Sequence, residues 1–136
     1  MEVVHHRRAL GSAGDVYRCV APRLAGVSQE LFFVIGVDIR NGVLDVVEVA
    51  RGSVHAVEVH PREVFRPLIR MAASGGVVVH NHPSGDPSPS DSDRRVTIRL
   101  NEAAKLMQVN FYDHIIIGTE APGRRPYFSF RESGII

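Results

Sequence analysis

Apolar positions along this chain fall into runs of two periods. Val16, Val20 and Leu24 recur every four residues and make one apolar stripe, which predicts a helix near Asp15 to Leu24. Glu30 then directly precedes Leu31-Phe32-Phe33-Val34-Ile35, a strand by composition and too apolar to be exposed on both faces. Left at an uncovered sheet edge, the run from Leu31 to Val37 would be an aggregation hazard. Asn41-Gly42 signals a tight hairpin turn of the primed type, returning into a second strand from Val43 to Ala50. Arg51-Gly52-Ser53 breaks the run, and a third strand is expected at about Val54 to Val59.

A helix opened by Pro61 carries Val64, Phe65, Leu68, Ile69 and Ala72 as its core face, and Pro67 is expected to kink or restart it. Gly75-Gly76 reads as the end of that helix, and Val77-Val78-Val79 as a buried strand. After a loop rich in Pro, Gly and Ser, Ser90 opens a long helix to about Met107, with Val96, Leu100, Ala103, Ala104 and Met107 facing inward. Strands at Phe111 to Ile117 and Tyr127 to Phe130, split by the loop from Ala121 to Pro126, complete the pattern. The expectation is an α/β fold, a mixed sheet flanked by helices, in one domain over residues 12–136 behind a flexible N-terminal segment of residues 1–11.

Composition narrows the class of protein. The chain has 136 residues, 44% of them apolar and 23% charged, as for an ordinary soluble domain long enough to bury a core. A formal net charge of +1 does not demand a nucleic-acid partner. Cys19 is the single cysteine, which excludes a disulfide framework and any Cys-based zinc cluster, including the Cys-x-x-Cys site of zinc deaminases. No apolar stretch is long enough to span a bilayer, and the start MEVVHHRRALGSAGD lacks the apolar region of a signal peptide, so no membrane partner and a cytoplasmic location are expected.

The chemistry concentrates directly after Val79, in His80-Asn81-His82-Pro83-Ser84-Gly85-Asp86-Pro87-Ser88-Pro89-Ser90-Asp91-Ser92-Asp93. Histidines two apart on an extended chain point to the same side, so both can reach one ion. The loop cannot continue the strand, and the chain reverses to bring Asp93 back towards the histidines. His80, His82 and Asp93 then offer three protein ligands, which suits Zn²⁺ with a fourth position left open. Asp86 and Asp91 lie in the same loop and could substitute for Asp93. Ser90-x-x-Asp93 is equally a capping box in form, and a carboxylate at a helix N-terminus is already held in the ionised state a metal needs.

With these residues in view, the chain resembles the JAMM (MPN-plus) metalloprotease superfamily, whose pattern is His-x-His, seven residues, Ser, two residues, Asp. The flanking blocks His60-Pro61-Arg62-Glu63-Val64-Phe65, Asp113-His114-Ile115-Ile116-Ile117-Gly118 and Ser129-Phe130-Arg131-Glu132-Ser133-Gly134 are similar to its RadC-like branch. The resemblance covers about residues 12 to 136. It implies a mixed, curved sheet flanked by helices, one Zn²⁺ per chain, and hydrolysis of a peptide or isopeptide bond by a metal-activated water. It places the general base at Glu30, with Glu48, Glu58 and Glu63 as rivals, and gives Ser90 the role of hydrogen-bond donor to the oxyanion. His114 matches a family position that suggests a buried pair with Asp113 beside the site rather than a ligand. His5, His6 and His55 have no partners at ligand spacing, and His60 belongs to the entrance of the Pro61 helix.

Two other classes stay open at this point. RadC-like proteins carry a DNA-repair label, and Arg94, Arg95, Arg99, Arg124 and Arg125 could contact phosphates, although 136 residues leave no room for the helix-hairpin-helix segment of longer members. Arg62, Arg66 and Arg70, at four-residue intervals, read as a solvated helix face or a basic stripe for an acidic partner. The third class is a non-catalytic scaffold, against which every ligand position here is filled. The substrate is expected to be a peptide or protein, with no inserted segment between Glu30 and His80 long enough to grip a protein tail.

Overall fold

The computed structural model of the chain describes residues 8–52 and 59–136. Its first helix, α1 (Ala13–Leu24), is capped by Ser12, whose hydroxyl accepts the Asp15 N–H, and it buries Val16, Val20 and Leu24. Five strands follow in one sheet: β1 (Leu31–Val37), β2 (Val43–Arg51), β3 (Gly75–Asn81), β4 (Asn110–Ile117) and β5 (Tyr127–Ser129). Their order is β2-β1-β3-β4-β5. Only β3 and β4 run parallel; every other pairing is antiparallel. The sheet is therefore mixed, as expected. The apolar β1 is fully buried between β2 and β3, which removes the edge hazard of its composition.

Strand alternation divides the core in two. Leu31, Phe33, Ile35 and Val37, with Val77, Val79, Ile115 and Ile117, pack against α1. Phe32, Val34 and Val78 face the other way, onto Val64, Phe65 and Leu68 of α2 (Pro61–Arg70) and Leu100 and Ala104 of α3 (Asp91–Met107). His80 has the same parity as Val78, so it emerges under α3. Among the described residues, no helix is long and apolar enough to cross a membrane.

Several expectations need correction. Asn41 and Gly42 do not form a two-residue primed turn: Asn41 alone has positive φ (62°), and the loop closes with Asp38 N–H on the Gly42 carbonyl. The Asp38 carboxylate accepts the N–H groups of Arg40 and Gly42, which favours a three-residue loop ending in a left-handed residue. Gly75 and Gly76 do not end α2; they begin β3. A Cβ on Gly75 would lie 2.4 Å from the Asn110 carbonyl oxygen, and one on Gly76 2.8 Å from Leu68 Cδ1, so close approach is what requires glycine there. The helix itself stops at Arg70, ahead of Ala72 with φ 51°. Pro67 lies inside α2, which runs as one helix.

On α2, Ile69 is 58% exposed, because it sits about a quarter turn round from Leu68. On α3, Met107 is 40% exposed in the last turn before the left-handed Gln108 cap, and the buried stripe instead includes the polar Thr97. At the N-terminal side, Arg8 to Leu10 are tied to the start of β2: Leu10 N–H donates to Asn41 and Val43 N–H to Arg8. The expected third strand, apart from Val59, lies outside the described residues, as do His5, His6, His55 and Glu58.

Candidate metal centre

Each side chain of the site is delivered by a local rule. β1 and β3 pair with Phe32 opposite His80, and continuing that register by two residues sets Glu30 across from His82. β3 carries His80 on its α3 face, and the His82 N–H donates to the Ile117 carbonyl, so His82 continues along β4. The loop then turns through Gly85 (φ 94°), whose N–H donates to the His82 carbonyl. α3 begins with a complete capping box: Asp93 N–H donates to Ser90 Oγ at 3.1 Å, and Ser90 N–H donates to Asp93 Oδ2 at 2.8 Å. The cap therefore aims the Asp93 carboxylate back at the histidines. The site lies at the carboxyl end of β3, where the chain leaves for its crossover helix.

The three donors stand close together. Asp93 Oδ1 is 3.1 Å from His80 Nε2, Asp93 Oδ2 is 3.1 Å from His82 Nε2, and the two Nε2 atoms are 3.2 Å apart. A tetrahedral ion with ligand bonds of about 2.0–2.1 Å has ligand–ligand separations of about 3.3–3.4 Å, so the spacing is close to that of a small cation. Among the described residues, His80, His82 and Asp93 form a group able to hold a metal ion. His80 and Asp93 are buried and His82 is partly open.

The second nitrogen of each ring is engaged. His82 Nδ1 lies 2.8 Å from the Asp86 carbonyl, which can only accept, so Nδ1 carries the proton and Nε2 faces Asp93. His80 Nδ1 lies 2.7 Å from His114 Nε2. Phe32 stacks on His80 at 5.2 Å and Phe130 on His114 at 4.8 Å, which fixes both ring planes. Burial opposes the charge on Asp93, yet its bonds to His80 and His82 outweigh that and hold it well below the usual carboxylate range. For His82, burial pulls down while the bonds to Asp93 and Asp86 and the nearby charges of Asp93 and Glu30 leave it raised. Burial and the neighbouring His80 hold His114 well below its ordinary value.

The other expected participants sort by position. Glu30 is half-buried and close enough for its charge to act on His82. Glu48 is paired with Arg51, and Glu63 with Arg62 and Arg66, on the surface. Asp86 and Asp91 are exposed; the Asp86 carboxylate accepts the Ser88 N–H. His60 caps α2 without a side-chain bond. His114 is buried beside the site, but its side chain does not pair with Asp113. Consecutive strand residues face opposite ways, and the Asp113 carboxylate takes Ser129 Oγ–H at 2.5 Å and Arg131 N–H at 2.9 Å on the α1 side.

Two residues were not singled out from the sequence. Asn81, between the histidines, accepts Leu31 N–H and donates to the Gln29 carbonyl, bracketing Glu30. Thr97 contacts His114, and its only sequence signal is its place one turn after Asp93 on α3.

An α/β domain with an open His-His-Asp group beside a half-buried glutamate is what the fold and site define. The chain matches the RadC-like JAB domain family over residues 10–135 and belongs to it. It is 39% identical over 137 residues to a UPF0758 protein of Chlorobium luteolum, covering 98% of this chain and 59% of that one. It is 46% identical over 108 residues to a UPF0758 protein of Trichlorobacter lovleyi (79% and 45%), and 41% identical over 130 residues to one of Methanosarcina acetivorans (96% and 55%). The chain spans about half the length of the curated relatives it matches.

Proposed function

We propose that this domain is a zinc-dependent hydrolase of an amide bond, peptide or isopeptide, working through an activated water. The observation that carries the proposal is the spacing of His80 Nε2, His82 Nε2 and the Asp93 oxygens, 3.1–3.2 Å, with the second nitrogen of each ring already engaged. Two imidazole nitrogens and one carboxylate suit Zn²⁺, which when bound would polarise the scissile carbonyl and lower the pKa of a water towards about 7.

The remaining work falls to the chain. Glu30, across from His82, takes the proton from the attacking water and delivers it to the leaving amine. Ser90 Oγ already accepts the Asp93 N–H, so its own proton is what it offers to the developing oxyanion. Substrate reaches His82 along an open groove of about 550 Å³ lined by Tyr17, Leu24, Val27, Pro83 and Ile117.

The nucleic-acid alternative draws little from the arginines that raised it. Arg95 donates to Ser92, Arg124 to the Gly85 and Thr119 carbonyls, and Arg125 pairs with Glu132. The deciding experiment is metal content of protein purified without added zinc, beside His82→Ala and Asp93→Ala. About one zinc per chain, lost in both variants, supports the proposal and justifies a screen of peptide and isopeptide substrates with Glu30→Gln as control. A folded wild type that holds no metal and takes up no added Zn²⁺ would overturn it and favour a scaffold.

A further inference from the structure

Arg62, Arg66 and Arg70 recur every four residues on α2 and so share one face of that helix. Phe65 and Ile69 lie between them on the same face, and with Met107 from the last turn of α3 these side chains line an open groove of about 410 Å³. The groove is apolar along its floor. Phe65 is 1% exposed, but Ile69 and Met107 keep much of their surface in water, and Leu106, beside Met107 in the chain, is 86% exposed. We propose that this groove docks an acidic amphipathic helix of another protein, with an aliphatic stripe on the floor and carboxylates on the arginines. The groove shares no residue with the candidate metal centre.

Charge complementarity selects the partner. Glu63 is the one acidic residue of α2 against these three arginines. It lies 3.5 Å from Arg62 and 3.3 Å from Arg66, so a single carboxylate is divided between two guanidiniums that are 72% and 51% exposed. Exposed pairs of this kind are worth about 0–1 kcal/mol and yield readily to a better-placed carboxylate. Among the described residues, no acidic side chain lines the groove itself. Arg62 and Arg70 stand about 12 Å apart along the helix axis, a little over two turns. Glutamates spaced four residues apart on a helix laid alongside α2 have the same reach, and the apolar residues between them fall on Ile69 and Met107.

Other occupants fit this surface less well. An extended segment would set its own N–H and C=O groups against an apolar floor, beside a helix whose backbone is already bonded, whereas a helix satisfies those groups internally. Nucleic acid would meet the guanidiniums, but the floor gives its bases nothing to stack on: Phe65 is buried, and neither Ile69 nor Met107 is aromatic. A flat bilayer surface does not fill a groove between two helices. A second copy of the chain, paired on this face about a two-fold axis, would set arginines against arginines.

The test is a titration of the ¹⁵N-labelled full chain with a synthetic helical peptide that carries one leucine stripe flanked by glutamates. A peptide of identical composition with the stripe scrambled is the control. The expected result is saturable amide shifts confined to α2 and the last turn of α3, produced by the amphipathic peptide alone and weakened by added salt. Its affinity should fall by about 10-fold both in the Arg66→Glu, Arg70→Glu double variant and in Ile69→Ser. These side chains are exposed, so both proteins should keep the wild-type spectrum away from the groove. No binding, equal binding of the scrambled peptide, or an unchanged affinity in either variant would overturn the proposal. So would tighter binding of an oligonucleotide or of phosphatidylglycerol vesicles that the same variants abolish, or a dimer in sedimentation that Ile69→Ser dissociates.

Discussion

The side-chain carbonyl of Asn81 accepts the backbone N–H of Leu31 at 2.7 Å, and its amide donates to the Gln29 carbonyl at 3.0 Å. The residue between the histidines thus extends the β1–β3 ladder by one side chain beyond β1. It holds the backbone on both sides of Glu30 and so sets where the proposed base stands relative to His82.

Asn81→Leu fills similar space but leaves the Leu31 N–H and Gln29 carbonyl without this partner. The expected loss is about 1–3 kcal/mol of stability, the usual penalty for buried polar groups left unmade. Zinc content should not change, because none of the three donors is touched. Denaturant unfolding and elemental analysis check both halves; loss of zinc in a folded Asn81→Leu protein would show that the bracket serves the histidines rather than Glu30.

Ser90 has two separable roles. As the N-cap of α3, its removal in Ser90→Ala should cost about 1 kcal/mol. As oxyanion donor, its removal should cost about 3–4 kcal/mol of transition-state stabilisation, a slowing of about 10²–10³-fold. Once a substrate is found, a modest stability loss with a large rate loss supports the second role. Rate and stability losses of equal size leave only the cap. Zinc should persist in either case, since the Asp93 carboxylate keeps the Ser90 backbone N–H.

The response of stability to pH should change sign of slope with metal. His82 is raised above its ordinary 6.5, with burial opposing and the bonds to Asp93 and Asp86 prevailing. A raised histidine contributes stability that is fully present below its unfolded pKa and is lost as pH rises through the folded one. Zinc competes with that proton for Nε2. The increase in Tm produced by added Zn²⁺ should therefore grow between about pH 6 and about pH 8. An increment that stays flat across that range would count against His82 as a ligand.

The parts of this site that sequence exposes are those governed by local rules. Strand alternation puts His80 and His82 on one side, and the Ser90–Asp93 spacing writes the cap that aims Asp93. The parts it hides are tertiary. Thr97 and His114 are 17 residues apart and meet only because α3 packs across β4. Asn81 reaches residues about fifty positions upstream. Gly75-Gly76 misled for a related reason: glycine pairs usually mark breaks, whereas here they admit Leu68 and the Asn110 backbone into a central strand. Asn41-Gly42 misled because the Asp38 carboxylate, three residues before Asn41, decides the turn.

Gly118 follows the last residue of β4 and supports the loop that carries the Asp86 carbonyl. A Cβ at this position would lie 2.2 Å from the Gly85 carbonyl oxygen and 2.8 Å from Pro87 Cδ. The Gly85 carbonyl cannot swing away cheaply, since it accepts Thr119 N–H at 2.9 Å and Arg124 Nη2–H at 3.0 Å. Gly118→Ala should therefore push the loop outward at a cost of about 1–3 kcal/mol. The displacement separates Asp86 from His82 Nδ1, which frees the ring to turn, and zinc affinity should fall by about 10–100-fold. Gly14→Ala is the control: its Cβ would meet only Tyr127 Oη and the mobile end of Arg18, at 3.3 Å or more, so zinc affinity and fold should be kept. A Gly118→Ala protein that binds zinc like the wild type would show that His82 is held by Asp93 alone.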